Sequence, residues 1–192
     1  GIHSILLANQ IVSPGKFATL AQLQRRAEVI AAIDNIAVVK AMGAAAISAK
    51  TTIPILIELD IGLKRVGIEP GDKTLALAKA VCGQDGLEFR GLMGYEGHVL
   101  NISPPADKQA ACHQAMDLLI QDKALLSENG IEVEIVSAGG TGSYEISGLH
   151  EGITELQAGG GIFMDAMYRQ ALHVESLEQA LTVLTTVTSR DR

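Results

Sequence analysis

Glu58 and Asp60 lie two residues apart at the end of an apolar run, so on an extended strand both carboxylates project from one face. Arg65 follows in Gly62-Leu63-Lys64-Arg65-Val66-Gly67. Its permanently charged, planar guanidinium can close a structural ion pair with Glu58 or Asp60, or it can point at an anionic ligand. A second group of reactive types ends the run Gly91-Leu92-Met93-Gly94-Tyr95-Glu96-Gly97-His98. Alternating glycines leave room for rings beside a planar ligand. Tyr95 can stack or hydrogen-bond, and His98 can move a proton. The plain alternative for His98 is a solvated loop histidine. His3, His113, His150 and His173 show no ligand spacing and read as ordinary surface or core residues.

Two glycine loops complete the set. Val136-Ser137-Ala138-Gly139-Gly140-Thr141-Gly142-Ser143 carries a β-rich run into small residues. Backbone N–H groups can surround a phosphate there, and the Thr141 hydroxyl can add a donor. Further on, Glu155-Leu156-Gln157-Ala158-Gly159-Gly160-Gly161 repeats the pattern. Either loop alone is as well explained by a turn. Both at successive strand ends point to a phosphorylated ligand at one mouth of a barrel.

These residues need elements to hold them. Apolar runs predict strands over residues 4–10, 28–33, 54–60, 87–95, 132–136 and 153–157, with a β-branched tail, 180–189, as a candidate seventh. Between them, Phe17, Leu20 and Leu23 mark one helix face, and residues 36–49, 72–82 and 105–129 predict further helices. Asn129-Gly130 closes the last. Strands alternating with helices build a parallel sheet of right-handed βαβ units. The polar residues collect at strand C-terminal ends, where a TIM barrel or an open α/β sheet places its site. The expected fold is therefore α/β, one domain over residues 1–192. Residues 164–168, Met-Asp-Ala-Met-Tyr, fit a core-and-cap role equally well.

Composition excludes other classes. The 192 residues are 47% hydrophobic and 19% charged, which rules out a disordered chain. A net charge of -7 argues against nucleic acid or an anionic membrane as the main partner. No apolar run reaches transmembrane length, and no signal peptide is visible. Cys82 and Cys112 have no metal spacing and read as reduced thiols of a cytoplasmic protein.

Taken together, the motifs resemble a known family. Ile57-Glu58-Leu59-Asp60-Ile61-Gly62, then Arg65 and Gly67, is similar to the E-x-D-x-G-x-x-R-x-G signature of the D-threonine aldolase and D-serine dehydratase-like family. Those are fold-type III pyridoxal phosphate enzymes with an alanine racemase-like (β/α)8 barrel. Leu6-Leu7-Ala8-Asn9-Gln10, Tyr95 with Gly97-His98, Gly140-Thr141-Gly142, and Glu155-Leu156-Gln157 with Gly159 and residues 163–168 agree in order and spacing. The resemblance covers essentially the whole chain. It implies that Gln10 faces cofactor or substrate, that Arg65 lies near the pyridoxal ring, and that Tyr95 contacts ring or substrate with His98 close by. It implies that Thr141, Gly159 and Gly160 bind the phosphate and that Tyr168 completes the pocket.

Departures from the family shape the expectation. The family's Schiff-base lysine lies on the first barrel strand, upstream of Gly1; Lys40, Lys50 and Lys64 sit in other contexts. A C-terminal β domain carrying a zinc, manganese or magnesium site is also missing, so no metal ligand is expected in this chain. Lys64 stands where asparagine is commoner, and Gly160-Gly161 where a bulkier pair is. The expected protein is the central barrel segment of a longer lyase, inactive alone, acting on β-hydroxy-D-amino acids by aldol cleavage or dehydration. Its cofactors would be pyridoxal 5'-phosphate and a divalent metal, and its partner a small D-amino acid. A homodimer is open. The alternatives are a non-catalytic pyridoxal phosphate-binding barrel and an amino-acid racemase. As a barrel segment with open edges, the isolated chain is expected to aggregate.

Overall fold

The computed structural model describes residues 1–190. Six parallel strands form one sheet in sequence order: β1 (Ser4–Gln10), β2 (Glu28–Ile33), β3 (Ile53–Leu59), β4 (Leu87–Gly94), β5 (Ile135–Ala138) and β6 (Glu155–Leu156). The crossovers carry α1 (Pro14–Leu23), α2 (Val39–Ala49), α3 (Asp72–Cys82) and α4 (Pro105–Glu128). Two short helices follow, α5 (Tyr144–Ser147) and α6 (Ala166–Gln170). Among the described residues no helix is long and apolar enough to cross a membrane.

β3 is buried at every position, as a central parallel strand covered on both faces must be. Its odd-numbered residues, Ile53, Ile55, Ile57 and Leu59, join the large core against the helices with Phe17, Met42, Leu77 and Met116. Each such fully buried side chain contributes roughly 1.5–3 kcal/mol. Leu56 joins a smaller cluster on the other face, with Ile30, Ala32 and Met93. Glu58 alternates onto that inner face, the lumen side of a barrel.

One irregularity aims the site. Ile55 pairs with Phe89, but Leu56 pairs with Gly91, so Arg90 is an extra residue in β4. The bulge requires glycine: Gly91 has φ +152°, and a Cβ there would lie 1.9 Å from the Ile135 carbonyl oxygen. It sends Leu92 to the helix side and Met93 to the inner face, and the alternation carries on to Tyr95.

The sequence expectations hold for most elements and fail at two. The fifth strand lies at Ile135–Ala138 rather than 132–136, because it must run opposite Gly91–Met93 and take its register from them. Residues 180–189 form no strand. Leu181, Val183, Leu184 and Val187 are exposed. A β-branched run stays irregular without a partner strand to supply hydrogen bonds.

Candidate active site at the strand C-terminal ends

Gln10, Glu58, Tyr95, the loop after β5 and the loop after β6 all sit at the C-terminal edge of the sheet. Gln10 Nε2 donates to the Glu58 carboxylate, joining β1 to β3 across the inner face. Glu58 is 3% exposed. Burial raises its pKa above the ordinary carboxylate value, against the Gln10 hydrogen bond and the nearby Arg65 charge, which lower it.

Asp60 does not join Glu58 as a carboxylate pair. It lies beyond β3, and its Oδ1 accepts the N–H groups of Gly62 at 3.0 Å and Lys64 at 2.9 Å. Asp34 Oδ2 accepts the Gly67 N–H at 3.1 Å. The two aspartates pin the loop that carries Arg65. The ion pairs among the described residues are Lys73–Glu69, Arg90–Glu28, Arg90–Glu134 and the His150–Asp117 contact, so Arg65 is in none. The ion-pair reading of Arg65 with Glu58 or Asp60 is thereby corrected: Asp60 is used by backbone donors and Glu58 by Gln10. Arg65 instead holds its guanidinium carbon 5.4 Å from the centre of the Tyr95 ring, a cation–π distance.

Tyr95 is the hub. Burial raises its phenol pKa most, with nearby Tyr168 and Glu96 adding, while Arg65 lowers it. Its ring lies against Gly140, where a Cβ would come within 2.5 Å of Tyr95 Cε2. His98 is exposed and lies over Gly62, where a Cβ would meet its ring at 2.5 Å.

Thr141 is 2% exposed, and its Oγ1 has no hydrogen-bond partner. A Cβ on Gly160 would come within 3.0 Å of that oxygen and 2.8 Å of Tyr168 Cε2. Thr141, Gly160 and Tyr168 therefore form one cradle. Asp165 caps α6 by accepting the Tyr168 N–H at 2.8 Å, which fixes the tyrosine, while Met164 is buried, so the 164–168 stretch serves as both core and cap. Gly159 is exposed and begins a single 3-10 turn, Gly159–Ile162. Among the described residues no group of three or more His, Cys, Asp or Glu could hold a metal ion.

Sequence reasoning placed Gln10, Arg65, Tyr95, His98, Thr141, Gly160 and Tyr168 at one end of the sheet, and the structure brings them to that end. It gave no role to Glu96, which is fully buried and bonded to the glycine loop. The available signal was a carboxylate wedged between Tyr95 and Gly97, with Ser143 and Ser147 one helical turn apart.

The parallel sheet carries an unpartnered hydroxyl and a glycine cradle at its C-terminal edge, the edge at which a barrel of parallel strands builds its site. The family model described as "Alanine racemase, N-terminal domain" matches residues 2–167, and the chain belongs to that family, of fold-type III pyridoxal phosphate proteins. Its six strands correspond to an incomplete barrel of that kind. It is 34% identical to a D-threonine aldolase of Arthrobacter sp over 99% of this chain and 51% of that protein. It is 31% identical to a 3-hydroxy-D-aspartate aldolase of Paracoccus denitrificans (strain Pd 1222), over 98% of this chain and 51% of that protein. The crystal structure of D-threonine aldolase from Filomicrobium marinum superposes with a TM-score of 0.88 at 36% identity, covering 94% of this chain and 50% of that one. The chain spans about half the length of the relatives it matches.

Proposed function

We propose that this chain is the cofactor-binding barrel segment, residues 1–192, of a pyridoxal phosphate-dependent lyase acting on β-hydroxy-D-amino acids by aldol cleavage or dehydration. The observation that carries it is Thr141 Oγ1, buried and unpartnered beside Gly160. A buried hydroxyl left without a partner costs about 1–3 kcal/mol, so its retention fits a ligand acceptor at that point. A phosphate ester fits: it supplies acceptor oxygens, and the missing Cβ at Gly160 leaves them room. The relatives' aldolase activities on D-threonine and 3-hydroxy-D-aspartate support the substrate class.

In this reading Thr141 and the Gly160 N–H hold the phosphate, and Gly159, whose own N–H donates to the Gln157 carbonyl oxygen at 2.7 Å, lines it without a side chain. Tyr168 closes the cradle. Tyr95 and Arg65 orient the pyridoxal ring, and Gln10 and Glu58 bound the inner face beside it. His98, exposed at the rim, exchanges a proton with substrate or solvent. Pyridoxal phosphate, when bound, supplies the electron sink that loosens bonds at the substrate carbon skeleton. A Schiff-base lysine and any divalent metal that assists at the substrate would be held by residues other than those described here.

An absorption spectrum of the full-length protein tests this reading. Bound cofactor should give a band that shifts on adding D-threonine or 3-hydroxy-D-aspartate but not their L-isomers. Glycine plus an aldehyde should form by cleavage, or a 2-oxo acid plus ammonia by dehydration. A protein with no bound cofactor and no turnover of either substrate would overturn the proposal.

A further inference from the structure

Tyr95 and Glu96 grip the glycine loop from two sides. The Tyr95 ring lies on Gly140. Glu96, fully buried, takes the loop's other flank: its Oε2 accepts the Gly139 N–H at 3.3 Å, and its Oε1 accepts the hydroxyls of Ser143 and, at 2.9 Å, Ser147. Ser143 Oγ lies 3.2 Å from the Gly140 carbonyl oxygen as well, and Ser147 Oγ lies 3.3 Å from Cys112 Sγ, tying the network to α4.

A buried carboxylate is costly to keep, and among the described residues no lysine or arginine forms an ion pair with Glu96. Its hydrogen-bond partners are the hydroxyls and the amide of one short segment, residues 139–147. An anion behind a phosphate loop also repels the phosphate. Neither cost is offset by charge pairing, so what Glu96 supplies is geometry. It consumes the donors on both sides of Thr141, at 139 and 143, and leaves the Thr141 hydroxyl between them unused.

Resting on the phosphate-site reading above, we propose that Glu96 is the positioning residue of the phosphate loop: its carboxylate gathers Gly139, Ser143 and Ser147 so that Thr141 faces the cradle with its hydroxyl free. Glu96 touches neither cofactor nor substrate and acts through the loop.

The test is equilibrium binding of pyridoxal phosphate and of pyridoxal, which lacks the phosphate, to the full-length protein. Glu96→Ala should weaken pyridoxal phosphate binding by about tenfold or more while pyridoxal affinity stays within about twofold of wild type. Glu96→Gln keeps an acceptor oxygen and removes the charge, so it should restore pyridoxal phosphate affinity to within about threefold. A general loss of structure would lower both affinities alike and would not be rescued by glutamine. Where Glu96→Ala does not fold, Ser143→Ala serves in its place, with an expected phosphate-selective loss of about threefold or more. Equal affinities in wild type and variant, or parallel losses for both ligands, overturn the role of Glu96. A wild-type protein that binds pyridoxal phosphate no better than pyridoxal overturns the phosphate-site reading itself.

Discussion

Arg90 and Arg65 sit at opposite ends of the sheet and have opposite surroundings. At the N-terminal ends, Arg90 donates to Glu134 through Nε at 2.6 Å and Nη2 at 2.8 Å, and to Glu28 through Nη1 at 2.8 Å. Ser4 Oγ donates to Glu28 at 2.7 Å. One network ties β1, β2 and β4 to the start of β5, and each charge in it has a partner. At the C-terminal ends Arg65 rests on an aromatic ring rather than on a carboxylate, and Thr141 keeps a buried hydroxyl unpaired. Pairing closes a surface, while oriented groups without partners leave it open to a ligand. The paired network and the proposed binding site thus lie at different ends of the same strands.

Substitutions that act on one end only would break or sharpen this contrast. The largest expected effect is Gly160→Val, whose side chain would occupy the space between Thr141 and Tyr168. Pyridoxal phosphate affinity of the full-length protein should fall about 100-fold with little change in the Tm of the cofactor-free protein; an unchanged affinity in an equilibrium titration would remove the cradle from the site. Thr141→Val comes next. It should weaken cofactor binding by about 1–2 kcal/mol, yet hold or raise the stability of the cofactor-free protein, because it deletes an unsatisfied buried hydroxyl. Affinity and chemical denaturation, measured side by side, should move in these different directions.

Arg90→Met tests the other end. It should cost about 1–2 kcal/mol in denaturant unfolding and leave cofactor affinity within about twofold. Its pH signature has a definite sign. The Ser4 hydroxyl first, and then Arg90, hold the Glu28 carboxyl below the ordinary range. Glu28 therefore contributes stability above the ordinary carboxylate pKa and loses it as pH falls through the lowered value. In Arg90→Met the acid-side loss of stability should shrink. Equal acid profiles would show that the network contributes nothing there.

The smallest effect is at Arg65, which is exposed over the Tyr95 ring. Arg65→Gln should move the tyrosinate titration of Tyr95 further upward, because the Arg65 charge lowers that phenol against the burial that raises it. Ultraviolet difference absorbance follows it directly. A Tyr95 titration that does not move would place the guanidinium elsewhere in solution.

Much of this was open to reading from residue types alone. Continuous apolar runs bounded by polar ends marked β2 and β3, because a parallel strand covered on both faces must be apolar along its length; β1 reads the same way but lies at the sheet edge, exposed or half-buried throughout. The small residues at 139–142 and 159–161 marked the loops proposed here to hold the phosphate, since bulkier side chains would fill the space a ligand needs. Alternation also put Glu58 on the inner face. Other features depend on what comes near in space. The Ile135 carbonyl leaves no room for a Cβ at the Gly91 bulge, and the register shift there sets the alternation that carries on to Tyr95. Arg65 takes the Tyr95 ring because backbone donors already occupy Asp60 and Gln10 occupies Glu58. Glu96 gathers residues more than forty positions away. The tail at 180–189 has strand propensity but no partner, so it stays irregular. Period and residue type are local properties and survive in the sequence. Which of several competing donors reaches a given carboxylate is decided only when distant segments meet.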